Sequence, residues 1–251
     1  MNAITASHWP YPRWIAHRGA GKLAPENTLA AFRLGAQHGY RMFECDAKLS
    51  ADGVPFLLHD ATLERTTNGR GTGGDLPLGA LAQLDAGSWH SRAYAGEAVP
   101  TLEALARFCI ANGYFLNIEI KPTPGQEETT GRVVGETAAR LWQGQAVPTL
   151  FSSFKPDALA GAQATAAHIP RALLLDTLWD GCLDTARRLG CVAIVCNHAL
   201  WDAALVAQVK GMGMRTLSYT VNDDWAAQRL IALGTDGIIT DRVDLFSPAT
   251  P

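Results

Sequence analysis

The sequence predicts an α/β protein with the (β/α)8 TIM-barrel architecture, and three observations favour this fold. Short apolar runs rich in β-branched and aromatic residues alternate with longer segments of helical periodicity. Eight runs of the first kind are separated by seven of the second. The length of 251 residues is that expected of eight βα units. A doubly wound open sheet is the structural alternative, because strand order cannot be read from one sequence.

The predicted strands are short and mostly apolar. In chain order they cover residues 14–16, 42–45, 115–120, 149–152, 171–175, 192–196, 215–219 and 237–240. The helices between them are predicted over residues 28–38, 102–111, 130–142, 156–167, 179–189, 202–210 and 223–233. We expect Asn27 or Thr28 to cap the first helix, Thr101 to cap the second, and Gly113 to end the second.

One segment does not follow the βα repeat. Residues 47–100 separate the second strand from its helix, which is far longer than an ordinary βα loop. The segment begins with two apolar runs around the turn Ser50-Ala51-Asp52-Gly53, and a connection this short gives an antiparallel hairpin. His59 and Asp60 end the returning arm, so we expect them near the end of the second strand. The prediction is one barrel domain over residues 1–251, with a small inserted subdomain at about residues 47–100.

Composition and charge exclude several classes of function. The chain is 47% hydrophobic and 18% charged, which is apolar enough to form a core and excludes disorder. Lys and Arg number 21 against 24 Asp and Glu, so no basic surplus favours nucleic acid or an anionic membrane surface. No run approaches the roughly 18 apolar residues of a membrane span, so we expect no membrane insertion.

The five cysteines predict the compartment. Their odd number and the absence of a CxxC pair indicate reduced thiols. The first residues lack the basic and apolar regions of a signal peptide, so we expect a cytoplasmic protein.

A closed barrel has no free sheet edge that demands a partner, and both a monomer and a homodimer through the helices or the insertion remain open.

Three carboxylates are expected to meet at one end of the barrel. TIM-barrel active sites lie at the carboxyl ends of the strands. Glu44 and Asp46 lie two residues apart on the second strand and therefore share a face, and Glu119 lies on the inward face of the third strand with Asn117 and Lys121. Three buried carboxylates repel one another unless a cation or protons neutralise them. Oxygen ligands suit one hard divalent ion, Mg2+ or Ca2+.

Two histidines and two cations are expected around this triad. His17 and Arg18 follow the first strand, His59 ends the hairpin, and Lys121 follows the third strand. Imidazole suits proton transfer near neutral pH, and a metal with Arg or Lys can neutralise a phosphate. A single histidine at a strand end is more often structural, so the convergence of several strand ends carries this interpretation. The set indicates metal-assisted phosphoester chemistry.

The same residues lie in short motifs that follow one another along most of the chain. The motifs are His17-Arg18-Gly19, Pro25-Glu26-Asn27-Thr28, Glu44-x-Asp46, the stretch 49–53, His59-Asp60, Arg65-Thr66-Thr67-Asn68-Gly69, Glu119-x-Lys121, Ser152-Ser153-Phe154, Tyr219-Thr220-Val221-Asn222 and the stretch 236–241. Together, over roughly residues 14 to 245, the sequence resembles the glycerophosphodiester phosphodiesterases. Each motif is short, but the order and spacing make the resemblance specific.

The resemblance implies a TIM barrel that hydrolyses glycerophosphodiesters to sn-glycerol 3-phosphate and an alcohol. It implies metal ligation by Glu44, Asp46 and Glu119, and general acid and base roles for His17 and His59. Its other implied site residues bind the phosphate or the substrate; they are Arg18, Lys121, Phe154 and Tyr219. The nucleophile is either water or a hydroxyl of the substrate's own glycerol, which would pass through a cyclic phosphate.

Two details of this implied function stay open. Tyr219 stands where the common family pattern has tryptophan, which bears on the shape of the pocket and not on the chemistry. The alternatives to a small-molecule glycerophosphodiester substrate are a lysophospholipase D-like activity and a non-catalytic relative that binds phosphodiesters. The first alternative needs an exposed apolar groove near the site, and the second usually lacks a metal ligand or a histidine.

Overall fold

The computed structural model describes residues 9–246 and residue 248, and it confirms the predicted TIM barrel. Nine strands form one sheet, and eight of them are parallel and close into a barrel because β1 pairs with both β9 and β2. The strands are β1 (Trp14–Ala16), β2 (Met42–Leu49), β3 (Pro55–Leu57), β4 (Phe115–Ile120), β5 (Thr149–Ser153), β6 (Arg171–Leu175), β7 (Ala193–Asn197), β8 (Arg215–Tyr219) and β9 (Gly237–Thr240). The doubly wound alternative is therefore excluded.

Among the described residues, seven α-helices cross between parallel strands, and an eighth short α-helix lies in the insertion. They are α1 (Leu29–Gln37), α2 (Leu78–Leu81, in the insertion), α3 (Leu102–Asn112), α4 (Glu127–Leu141), α5 (Pro156–Thr165), α6 (Cys182–Arg188), α7 (Ala203–Gly211) and α8 (Asp224–Ala232). The predicted caps are confirmed. The Thr28 hydroxyl accepts from Ala31 N–H, the Thr101 hydroxyl accepts from Ala104 N–H, and Gly113 ends α3.

The predicted hairpin is also confirmed. Strand β3 runs antiparallel to β2, with Ala47 opposite Leu57 and Leu49 opposite Pro55. The pairing extends β2 beyond the expected end at residue 45, to Leu49, because the hairpin continues the ladder outside the barrel. The backbone N–H of Leu58 donates to the Asp46 carbonyl at 3.1 Å, so the returning arm reaches the carboxyl end of β2.

Alternation along the strands divides the apolar side chains into an inner and an outer core. Inside the barrel lie small and medium side chains such as Ile15, Leu150 and Val195. Outward-facing residues such as Phe43 pack against the helices in a larger cluster. A third cluster, around Phe56, fills the insertion. The inner core closes the barrel below its carboxyl end, so a cavity can exist only above it.

Within the described residues, no helix is both long and apolar enough to cross a membrane. All five cysteines are buried, unpaired thiols. The expected absence of a signal peptide concerns the first 14 residues, of which residues 1–8 lie outside the described residues.

Candidate active site

Three carboxylates meet at the carboxyl end of the barrel. Glu44 and Asp46 are alternate residues of β2, and Glu119 lies opposite Asp46 in the register of β4. One oxygen from each carboxylate lies within 4.8 Å of the other two. The three side chains are buried, and the most exposed of them, Glu119, is only 8% exposed. The structure therefore brings together the three predicted metal ligands.

The charges of these carboxylates are only partly balanced by the protein. Burial raises the pKa of Glu44 well above its ordinary value, and repulsion from Asp46 and Glu119 adds to the effect. Burial raises the pKa of Glu119 as well. Burial acts in the same direction on Asp46, but Arg18 and Lys121 outweigh it and hold the Asp46 pKa well below its usual range.

The donor set fits a hard divalent cation. Glu44 Oε1 and Asp46 Oδ1 are buried and accept no hydrogen bond from the described residues. Buried carboxylate oxygens that accept no hydrogen bond are costly, and a cation between them would reduce that cost. All the candidate ligand atoms are oxygens, which suits Mg2+ and Ca2+ alike.

Two residues with left-handed backbone conformation orient the carboxylates. Arg18 has a φ of 51° and Asn27 a φ of 59°. The Arg18 N–H donates to Glu44 Oε2 at 3.1 Å. The Asn27 amide donates to Asp46 Oδ2 at 2.8 Å, and its oxygen accepts from the Asp46 N–H at 3.1 Å. Strain of this kind persists where surrounding contacts hold it, and here it is coupled to the two carboxylates of β2.

Each predicted histidine is held by its own carboxylate. His17 Nδ1 lies 2.6 Å from Asp241 Oδ1, and Asn222 donates to the other oxygen of Asp241 at 2.9 Å. His59 Nδ1 lies 2.7 Å from Asp60 Oδ1. A carboxylate on Nδ1 fixes the imidazole ring and leaves Nε2 for other partners. His17 Nε2 lies 3.8 Å from Glu44 Oε2, and both histidines line the cavity above the triad.

Arg65 of the insertion links the pair His59 and Asp60 to the pair Glu26 and Arg18. Its guanidinium donates to both oxygens of Asp60, at 2.6 and 3.0 Å, and to both oxygens of Glu26, at 2.8 and 2.9 Å. Glu26 also accepts from Arg18 at 2.8 Å. A continuous chain of charged hydrogen bonds therefore runs from His59 through Arg65 to Arg18.

A cavity of about 140 Å³ lies between the triad and two aromatic side chains. Lys121 Nζ donates to Glu119 at 2.9 Å, lies 2.9 Å from His59 Nε2, and sits 5.5 Å from the centre of the Phe154 ring. Phe154 and Tyr219 meet edge to face at 5.6 Å. The phenol of Tyr219 donates to the Leu175 carbonyl at 3.1 Å. The predicted phosphate-binding and wall residues thus surround one space.

The sequence prediction gave several residues that contact the site no part in its chemistry. They are Glu26, Asn27, Arg65, Asn117, Ser152, Asn222 and Asp241. Most of them lie within the short motifs quoted above, and Asp241 directly follows β9. The rule that found His17 and Lys121, a polar residue just after a strand, could have found Asp241 too. The role of Arg65 has no such signal, because its partners lie in different loops.

A TIM barrel with an acidic triad, two oriented histidines and two cations at one mouth is suited to hydrolysis of phosphoric diesters. Comparison with known proteins agrees with that class. A model described as the glycerophosphoryl diester phosphodiesterase family matches residues 17–245. The chain belongs to this family, whose members are phosphoric diester hydrolases.

Individual relatives match over most of their length. YhdW of Bacillus subtilis is 34% identical over 240 residues, covering 92% of this chain and 95% of the relative. A glycerophosphodiester phosphodiesterase of Caldanaerobacter subterraneus is 32% identical over 231 residues, covering 90% and 93%. A phosphodiesterase of Oleispira antarctica, solved in complex with the product sn-glycerol-3-phosphate, is 36% identical with a TM-score of 0.85, covering 92% of this chain and 93% of that one.

Proposed function

We propose that the protein hydrolyses glycerophosphodiesters, such as glycerophosphocholine and glycerophosphoethanolamine, to sn-glycerol 3-phosphate and an alcohol. The observation that carries this proposal is the convergence of three carboxylates, two histidines and two cations on one cavity. The product complex of the Oleispira antarctica relative supports the substrate class.

Glu44, Asp46 and Glu119 would hold one divalent metal ion, Mg2+ or Ca2+. When bound, such an ion supplies positive charge that neutralises the phosphate and the charge that builds up on it. Support comes from the buried oxygens of Glu44 and Asp46 that accept no hydrogen bond from the described residues, and from the raised pKa of Glu44, which burial and the neighbouring carboxylates cause.

The protein's own cations would bind the rest of the phosphate. Arg18 and Lys121 line the cavity, and each lies beside a carboxylate of the triad. The Lys121 ammonium keeps its charge, because Glu119 and Asp46 raise its pKa against the opposing effect of burial. A positive charge that is fixed before the substrate arrives stabilises the transition state without reorganisation.

His17 and His59 would act as the general acid and general base. Their Nδ1 atoms are held by Asp241 and Asp60, which directs the Nε2 atoms towards the cavity, where that of His17 lies 3.8 Å from Glu44 and that of His59 lies 2.9 Å from Lys121 Nζ. One imidazole would take a proton from the nucleophile, and the other would give a proton to the leaving alkoxide. The nucleophile is either water or a hydroxyl of the glycerol, and phosphorus-31 NMR of the reaction would detect a cyclic phosphate.

The wider organisation follows from the same argument. We propose that the whole chain acts as a single catalytic barrel domain, in which the insertion supplies His59. Five buried, unpaired thiols support a reducing compartment, the cytoplasm. All the side chains named above come from one chain, so a monomer is sufficient, and a homodimer through the helices or the insertion is compatible with this chemistry.

The first experiment is the release of sn-glycerol 3-phosphate from glycerophosphocholine and glycerophosphoethanolamine by purified protein. We expect EDTA to abolish turnover, and either Mg2+ or Ca2+ to restore it. Folded protein that turns over neither substrate with any ion contradicts the proposal. A lysolipid that still bears one acyl chain is then the next substrate to assay.

The second experiment separates the proposed roles of the side chains. His17→Ala and His59→Ala should each lower kcat by at least about 100-fold while the metal still binds. Glu119→Ala should lose activity together with affinity for the metal, as calorimetry measures it. Wild-type turnover in either histidine variant contradicts the acid–base assignment.

A further inference from the structure

Two buried polar side chains in the cavity have no hydrogen-bond partner among the residues that the structure describes. Asn117 is 1% exposed and Ser152 is fully buried, and both line the cavity. Neither the amide oxygen nor the amide nitrogen of Asn117 makes a hydrogen bond within the described residues, and the Ser152 hydroxyl makes none either. Nearly all buried polar groups in proteins are paired, and a buried group left unpaired destabilises the protein.

Other hydroxyls of the same strand are satisfied, so strand β5 does not lack acceptors. Ser153 donates to the Ile120 carbonyl at 2.7 Å, and Thr149 donates to the Leu116 carbonyl at 2.8 Å. Ser152 differs from Ser153 because its side chain points into the barrel and not towards the helices. Ser152 therefore has no hydrogen-bond partner within the described part of the chain because its side chain faces the cavity, and not because the backbone of β5 and its neighbours lacks acceptors.

The two side chains lie beside the metal-binding carboxylates. Asn117 is opposite Glu44 in the register of β2 and β4, and Ser152 is opposite Glu119 in the register of β4 and β5. On the same inward face, Leu150 precedes Ser152 by two residues and belongs to the inner apolar core. The cavity therefore ends at a floor that is polar on the side of the triad and closed by apolar side chains beneath.

The chemistry of the pair matches hydroxyl groups. The Asn117 amide offers two donors and one acceptor, and the Ser152 hydroxyl both donates and accepts. An alcohol also donates and accepts, whereas a phosphate oxygen needs donors and cations. Arg18 and Lys121 already supply the cations. The polar floor lies at the closed end of the cavity. It therefore suits a part of the substrate that ends there better than the head group, which is released as the alcohol.

We propose that Asn117 and Ser152 form a subsite for the free hydroxyls of the glycerol part of the substrate. This inference rests on the proposed function and adds to it the residues that select glycerol. In this subsite the pair discriminates phosphoesters of a polyol from phosphoesters of a simple alcohol. A site built to hydrogen-bond a hydroxyl rejects an analogue without it strongly, because its own polar groups are then left unpaired.

The test compares two product-like ligands that differ only in these hydroxyls. Calorimetry with Ca2+ present measures the binding of sn-glycerol 3-phosphate and of n-propyl phosphate to the wild type, Asn117→Leu, Ser152→Ala and the double variant. Binding of these ligands does not depend on which nucleophile the enzyme uses. Ser153→Ala is the matched control, because its hydroxyl is buried on the same strand but satisfied outside the cavity.

We expect the wild type to bind sn-glycerol 3-phosphate about 100-fold more tightly than n-propyl phosphate. The ratio should fall to below about 10 in each single variant and approach about 1 in the double variant. The affinity for n-propyl phosphate should not fall. Ser153→Ala should keep the wild-type ratio.

Three results would overturn the subsite. One is an unchanged ratio in the folded variants. Another is an equal loss of affinity for both ligands, which would mean that the pair acts on the phosphate or on packing. The third is a loss of Ca2+ affinity in Asn117→Leu, which would make its amide oxygen a metal ligand. Failure of the proposed function is separate, because it appears as no turnover of glycerophosphocholine by the wild type.

Discussion

Arg65→Lys tests whether Arg65 of the insertion positions two proposed site residues, His59 and Arg18. The Arg65 guanidinium makes four hydrogen bonds of 2.6–3.0 Å, two to Asp60 and two to Glu26. Asp60 holds His59, and Glu26 holds Arg18. Lysine keeps the charge but has a compact ammonium group, which cannot bridge two carboxylates with the planar fork of arginine.

The expected magnitude follows from the exposure of these groups. Hydrogen bonds to charged partners are worth about 1.5–3 kcal/mol each when they are well buried. The Arg65 side chain is 44% exposed, so solvent screening reduces each one to about 0.5 kcal/mol. Four such bonds amount to about 2 kcal/mol for complete removal in Arg65→Ala. If that energy is used to orient His59 and Arg18, kcat/KM falls by about 30-fold.

The assay is steady-state hydrolysis of glycerophosphocholine by the wild type, Arg65→Lys and Arg65→Ala, with thermal unfolding of each. We expect Arg65→Lys to lose about 5- to 10-fold in kcat/KM and Arg65→Ala about 30-fold. Arg107→Lys is the control, because Arg107 pairs with Glu103 on the exposed side of α3, away from the site. Wild-type kinetics in Arg65→Ala, with only its stability lowered, would refute the positioning role.

Three further predictions concern single contacts. Asp241→Asn keeps the shape but removes the charge beside His17 Nδ1, so kcat should fall by about 100- to 10,000-fold in the hydrolysis assay with little change in melting temperature. In Gly21→Ala the new Cβ would lie 2.1 Å from the Asp241 carbonyl oxygen, and denaturant titration should show a loss of roughly 2–4 kcal/mol. Gly113→Ala, at a similar φ but with open space, should lose only about 1 kcal/mol. Hydrogen bonds from Ser88 and from the Gly87 and Gly96 N–H groups hold the pKa of Asp85 below its usual range, so the stability it contributes is present above about pH 4 and is lost as the pH falls further. The difference in melting temperature between the wild type and Asp85→Asn should therefore shrink between pH 6 and pH 3.

The barrel could be predicted because its strands have a strong local signal. All eight predicted strands lie within a few residues of the observed ones, since a buried parallel strand is a short apolar run between turns. The starts of two helices were predicted less accurately than the strands. Helix α6 begins at Cys182 and not at residue 179, because the chain first turns at Asp180 and Gly181. Helix α4 begins at Glu127, before its first apolar residue, because its first turn is polar.

The grouping of the site residues could be predicted for a related reason. Alternation along β2 and β4 puts Glu44, Asp46 and Glu119 on the inward face, and parallel strands bring their carboxyl ends together. The hydrogen bonds that orient these groups could not be predicted in this way. Asp241 lies 224 residues from His17 in the chain, so their contact follows only from closure of the barrel.

At His17, closure of the barrel also assembles the site. At His59, the contact with Asp60 and the placement of this pair in the site are separate events. The His17 N–H donates to the Thr240 carbonyl at 3.0 Å, and β1 pairs with β9 directly beneath. Asp241, the next residue after Thr240, can reach His17 only when this seam is formed. His59 and Asp60 are neighbours in sequence and keep their contact wherever the insertion lies, so their place in the site depends on the hairpin and on Arg65. Local opening of the seam would separate His17 from its carboxylate and leave His59 and Asp60 in place, whereas loosening of the insertion would move His59 and Asp60 out of the site together and leave His17 and Asp241 in contact.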